Sequence, residues 1–60
     1  MTDSPLTKGE RTRLTIMEAA YELFLDHGYA ATSMRQVSDR AGLALGSIYN
    51  HFTGKEAIFR

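Results

Sequence analysis

The stretch Ser33-Met34-Arg35-Gln36-Val37-Ser38-Asp39-Arg40-Ala41-Gly42-Leu43-Ala44-Leu45-Gly46-Ser47-Ile48-Tyr49-Asn50-His51-Phe52 decides the fold. Ser33 and Gln36 form the capping-box pattern, a hydroxyl followed three residues later by a side chain that reaches back to the cap amide. Met34, Val37 and Ala41 recur at i, i+3 and i+7, which marks the apolar side of a short helix ending near Ala41. Gly42 closes it, because the chain must reverse there with positive φ, where a Cβ would clash. Leu45, Ile48, Tyr49 and Phe52 recur at i, i+3, i+4 and i+7, so a second helix is expected from about Leu45 to Phe52. Ser38 and Ala41 are small enough to let the two axes approach closely. Two short helices flanking Gly42-Leu43-Ala44 have the arrangement of a helix-turn-helix, whose second helix enters a DNA major groove.

Upstream, Thr7-Lys8-Gly9-Glu10 repeats the capping-box form, and Ser4-Pro5 offers a competing start with proline at the first helical position. Either start leads a longer helix to about His27, with Gly28 expected to end it in a left-handed conformation. Ile16, Ala20, Leu23 and Phe24 form one buried stripe on this helix, and Glu18, Glu22 and Asp26 recur every four residues on a solvated face. Downstream, Thr53-Gly54-Lys55-Glu56 gives a third capping signal and starts a fourth helix through Ala57, Ile58 and Phe59. That helix carries apolar residues but no stop signal, so the 60 residues are expected to be the N-terminal piece of a longer protein. Leu14, Met17, Ala20, Phe24, Val37, Ile48 and Phe52 are the expected core.

Size and composition set limits. Sixty residues make one small domain, and a domain of that size hides only about 60% of its unfolded surface. Leu, Ile, Val and Phe number 13 of the 60, which argues against intrinsic disorder. A deep-pocketed two-domain enzyme does not fit in this length. The absence of cysteine excludes disulfides and thiolate-ligated zinc. The first five residues lack the basic start and apolar run of a signal peptide, and no apolar run approaches the roughly 20 residues of a bilayer span. The expected compartment is the cytoplasm.

Seven Lys and Arg balance seven Asp and Glu, so only the distribution of charge is informative. No acidic residue lies between Arg40 and Lys55, as suits a surface that approaches phosphates. Lys8, Arg11 and Arg13 form a second positive cluster at the start of the first helix, away from the acids of its later half.

Ile16-Met17-Glu18-Ala19-Ala20-Tyr21-Glu22-Leu23-Phe24 followed by Gly28-Tyr29-Ala30-Ala31-Thr32-Ser33-Met34-Arg35-Gln36-Val37 resembles the opening of TetR/AcrR-type transcriptional regulators. So do Ala41-Gly42-Leu43, Gly46-Ser47-Ile48-Tyr49-Asn50-His51-Phe52 and Lys55-Glu56-Ala57-Ile58-Phe59, in register over residues 11–60. The resemblance implies an all-α fold: a homeodomain-like, three-helix helix-turn-helix DNA-binding domain plus the start of a fourth helix. It further implies a homodimer on double-stranded DNA at a near-palindromic operator. A larger C-terminal helical domain would hold the dimer contacts and a small-molecule inducer, most often making the protein a repressor.

Carried over residue by residue, the resemblance puts Tyr49 on the DNA backbone, with a half-buried core tyrosine as the plainer alternative. His51 lies close to the same backbone, or is simply exposed. Lys55 begins the fourth helix, where free amides favour an anion, or is a solvated surface lysine. Thr32 and Ser33 reach phosphates, although capping of the second helix alone explains both. Arg35 grips a guanine edge or a phosphate, or pairs with Asp39 at i+4. Ala44, Leu45, Gly46 and Ser47 face the groove. Positions 44 and 45 are often polar in the family and are apolar here, so specificity leans on Arg35 and DNA shape. Leu45 either meets a thymine methyl or completes the core, Gly46 permits close backbone approach, and Ser47 and Asn50 are the remaining polar candidates.

His27 reads as a helix C-terminal residue aligned with the dipole. The two histidines have no ligand spacing, so neither a metal nor a cofactor is expected. No nucleophile sits beside a general base and no glycine-rich loop follows a strand, so catalysis is not expected. The rival function is a small protein-interaction module that docks through Leu45, Tyr49 and Phe52.

Overall fold

The computed structural model describes residues 7–59. They form four helices in the order α1 (Lys8–His27), α2 (Met34–Ala41), α3 (Leu45–His51) and α4 (Lys55–Phe59). Among the described residues there is no strand. The described residues are thus all-α: three helices that carry a helix-turn-helix, followed by a short fourth.

The first two helices start where the hydroxyl signals put them. Thr7 Oγ1 accepts from the Glu10 amide at 3.1 Å while Glu10 Oε1 accepts from the Thr7 amide at 2.9 Å. Ser33 and Gln36 make the same reciprocal pair at 3.2 and 2.8 Å. Each box satisfies amides that the first helical turn leaves without partners. The competing start at Ser4-Pro5 lies outside the described residues. The third signal is not used: α4 begins at Lys55, and Gly54 rather than Thr53 accepts its first backbone bond, from the Ala57 amide at 3.1 Å.

Two glycines turn the chain, in different ways. Gly42, at φ 73° and ψ 28°, is left-handed, and the amides of Gly42 and Leu43 bond back to Asp39 and Ser38. Gly28 departs from the left-handed conformation that its place after α1 predicts: it stands at φ 91° and ψ 156°, an extended conformation of positive φ. Only glycine enters that region without strain. No left-handed cap therefore closes α1, whose last bond is that from the Gly28 amide to the Phe24 carbonyl, and an irregular segment separates α1 from α2.

One branched side chain from each helix is fully buried: Ile16 from α1, Val37 from α2, Ile48 from α3 and Ile58 from α4. Burial of each stabilises the fold by about 1.5–3 kcal/mol. Ala19, Ala20, Leu23, Met34 and Phe52 complete the cluster, with Met17, Phe24, Ala41, Leu43, Leu45 and Ala57 packed against it. Leu14 departs from the expected core and is 44% exposed, because the buried stripe of α1 runs through Ile16, Ala19, Ala20 and Leu23 and leaves position 14 on the open side. Ser38 is buried with its hydroxyl donating to the Arg35 carbonyl at 2.8 Å, so α2 presents a small, satisfied surface towards α3.

α4 is joined to α1 by the Tyr21 hydroxyl, which donates to the Ile58 carbonyl at 3.4 Å. Phe24, Tyr29 and Phe59 pack beside it with ring centroids 5.2–5.5 Å apart.

Candidate nucleic-acid interface

On α3, Ile48 and Phe52 point into the core and Leu45 lies beside them, half-buried against it. Gly46 and Asn50 lie away from that apolar stripe at 3.6 residues per turn and Tyr49 at its edge, and all three are exposed. Ser47 and His51 are half-buried on its flank, and Ala44 is exposed at the N-cap without a side-chain cap of its own. Tyr49, placed by periodicity on the apolar stripe, is 49% exposed. A phenol, a carboxamide and a bare patch of backbone thus open to solvent.

Gly46 has no internal reason to be glycine. A Cβ built there meets nothing within 4 Å, and its φ is not in the positive region. The fold loses about 0.5–1 kcal/mol relative to alanine for this bare position.

At the start of α2, Ser33 is the cap and Arg35 is exposed in the first turn. Among the described residues Arg35 makes no ion pair, and the i+4 pairing with Asp39 does not form. Arg40 instead bonds Glu22 of α1, Nε to Oε1 at 3.0 Å. Among the described residues the Arg35 guanidinium has no hydrogen-bond partner.

Two of the expected contact residues are turned inward. Thr32 is 3% exposed, and its hydroxyl donates to the Gly28 carbonyl at 2.8 Å, so it neither caps α2 nor faces solvent. Lys55 is half-buried, and its ammonium donates to the carbonyls of Tyr29 at 2.7 Å, Thr32 at 2.8 Å and Ala30 at 3.4 Å. The same nitrogen stands 4.4 Å above the centre of the Tyr29 ring. The Lys55 ammonium is therefore turned to backbone carbonyls of its own chain and not left solvated. Partial burial first, and the Glu56 carboxylate second, push the Tyr29 phenol above its ordinary pKa, so it is neutral throughout the physiological range.

The basic start of α1 reaches the far end of α3 through Arg13, whose guanidinium carbon lies 4.7 Å from the centre of the Phe52 ring. Nothing in local sequence signals this contact or the cage around Lys55, since both join residues more than twenty positions apart. Arg13 over Phe52 also bears on the rival docking face. Phe52 is 4% exposed and Leu45 half-buried, so of the three residues only Tyr49 is open. Among the described residues, no helix is long and apolar enough to cross a membrane.

Comparison with known proteins places these features in context. Residues 16–60 match the model of a family described as bacterial regulatory proteins, tetR family. Over 60 residues the chain is 33% identical to the HTH-type transcriptional regulator UidR of Escherichia coli K12, covering 100% of this chain and 31% of that protein. It is 39% identical over 56 residues to the HTH-type transcriptional repressor KstR2 of Rhodococcus jostii, covering 93% of this chain and 26% of the relative. With the HTH-type transcriptional repressor AcnR of Corynebacterium glutamicum it shares 35% identity over 52 residues, 87% of this chain and 28% of the other. The chain thus spans less than a third of the length of these relatives.

Proposed function

This chain belongs to the tetR family of bacterial regulatory proteins, and on that footing we propose that it is the DNA-binding head of a transcriptional regulator acting as a repressor. The observation that carries this reading is the outward face of α3. It presents Gly46, Tyr49 and Asn50 to solvent, and no carboxylate occurs anywhere in residues 41–54. Phosphates repel carboxylates, and a helix with one bare, acid-free side fits a major groove.

In this reading α3 lies in the groove. Ala44, Gly46 and Ser47 bring its first turn close to base edges, and the methyls of Leu45 reach a thymine from the rim of the core. Tyr49 and His51 meet the sugar-phosphate backbone, and Asn50 and Ser47 supply hydrogen bonds. Ser33 and Arg35 approach from the start of α2, with Arg35 on a guanine edge or phosphate. Lys8 and Arg11 add charge at the rim. Nothing in this scheme calls for catalysis.

The whole protein, by the same reading, adds a C-terminal helical domain that makes the homodimer and binds a small-molecule inducer. The dimer sets two copies of α3 in successive major grooves of a near-palindromic operator in the cytoplasm. Inducer binding alters the spacing of the two heads and releases the DNA.

The test is a fluorescence-anisotropy titration of the 60-residue chain against random-sequence duplex DNA at about 50 and 200 mM salt. Affinity that falls steeply with salt supports phosphate contact. A folded chain that ignores DNA at both salts overturns the reading.

A further inference from the structure

We propose that Lys55 is a positioning residue: its ammonium fastens the Tyr29–Thr32 segment to the first turn of α4, thereby fixes where α2 begins, and makes no phosphate contact of its own. The proposal rests on the DNA-binding reading for its consequence, and on geometry alone for the clamp.

An ammonium has three hydrogens, and three carbonyl oxygens converge on this one. The two short bonds, 2.7 and 2.8 Å, have the length of charge-assisted hydrogen bonds. The Tyr29 ring face, 4.4 Å away, adds a cation–π contact on another side. The Tyr29 carbonyl also accepts the Thr32 amide at 3.1 Å, so both its lone pairs are in use. Swinging the ammonium out to a phosphate would leave the Tyr29 and Thr32 carbonyls without their charged donor, and Thr32 is buried. The position is otherwise a poor one for a cation, because Lys55 opens α4 and a helix start repels positive charge. The carbonyl cage outweighs that repulsion.

What the clamp holds is the irregular segment after Gly28. Thr32 directly precedes the Ser33 cap, and Arg35 stands two residues further on in the first turn of α2. A loop closed at Thr32 from inside by Gly28, and from across by Lys55, leaves α2 one place to start. The position of Arg35 is therefore set in part by a lysine 20 residues later in the chain.

The experiment compares the 60-residue chain with K55M, which keeps the stem, and K55R, which keeps the charge but replaces a compact tetrahedral donor by a planar fork. On the wild type alone, nitrogen-detected NMR at mildly acidic pH reports whether the Lys55 ammonium protons are protected from solvent. Protected protons are expected, and an ammonium exchanging as freely as that of Lys8 overturns the clamp even if neither variant folds. In the variants, amides of residues 30–36 are expected to exchange about tenfold faster. DNA affinity is expected to fall about tenfold in both, with the slope of log affinity against log salt unchanged. A lost phosphate contact would instead lower that slope by about 0.9 and would be rescued by arginine. R35A is expected to cost less affinity in the K55M background than in wild type, since Arg35 is then already misplaced; additive losses would make Lys55 a stability residue only. If the wild type itself fails to bind duplex, the DNA-binding reading falls while the NMR and exchange results still decide the clamp.

Discussion

The guanidinium carbon of Arg13 lies 4.7 Å from the centre of the Phe52 ring, joining the early turns of α1 to the residue that ends α3. Phe52 owes part of its burial to that cover. Arg13→Ala is expected to lose about 0.5–1 kcal/mol of stability from the cation–π contact, while Arg13→Met, which keeps an apolar stem over the ring, loses less. Urea denaturation of both variants checks this. Equal midpoints for wild type and Arg13→Ala would show that the ring is shielded by something else.

Gly42→Ala and Gly28→Ala are expected to differ in severity. Neither Cβ would meet an atom within 4 Å, so the cost at each is conformational. At Gly42 the left-handed conformation costs alanine about 1–2 kcal/mol. At Gly28 the extended, positive-φ conformation is essentially closed to alanine, and a larger loss, up to about 3 kcal/mol, is expected. Thermal melting ranks the pair, and a milder Gly28→Ala would place the chain exit from α1 elsewhere.

Gly46→Ala is expected to move stability and binding in opposite directions. Alanine fits the open space and raises stability by about 0.5–1 kcal/mol, while the new methyl holds α3 away from the groove floor. A higher melting temperature with weaker operator binding is the predicted outcome. A variant that is more stable and binds as well as wild type removes Gly46 from the contact face.

Arg35→Ala is expected to change which sequences are selected from a random duplex pool, by about 1–3 kcal/mol at the position that it reads. Recovery of the same sites by the variant, with only a smaller salt slope, would assign Arg35 to a phosphate.

Much of the fold was legible because its signals are local. The boxes at Thr7/Glu10 and Ser33/Gln36 each close within four residues, and the structure makes both. Leu14 and Tyr49 misled for a related reason: periodicity gives the direction of a stripe but not its width, and each residue sits at an edge where the neighbouring helix does not reach. The Thr53 signal fails because α4 starts one residue later than its spacing requires. The inward turn of Lys55 is illegible from any local pattern. It depends on where Gly28 sends the chain, and so on which way three carbonyls point across a gap of 23–26 residues.

The separation of charge on this chain has a consequence for how it arrives at its target. With zero formal net charge, the molecule feels little long-range pull from a polyanion. Glu18, Glu22 and Asp26 nevertheless line the later half of α1, while Lys8, Arg11 and Arg13 outnumber Glu10 at its start and residues 41–54 carry no acid. On the proposed reading, such a body near a duplex experiences a torque before it experiences an attraction, which turns the acidic half of α1 outward and α3 inward. Correct orientation, more than speed of approach, is what this arrangement supplies.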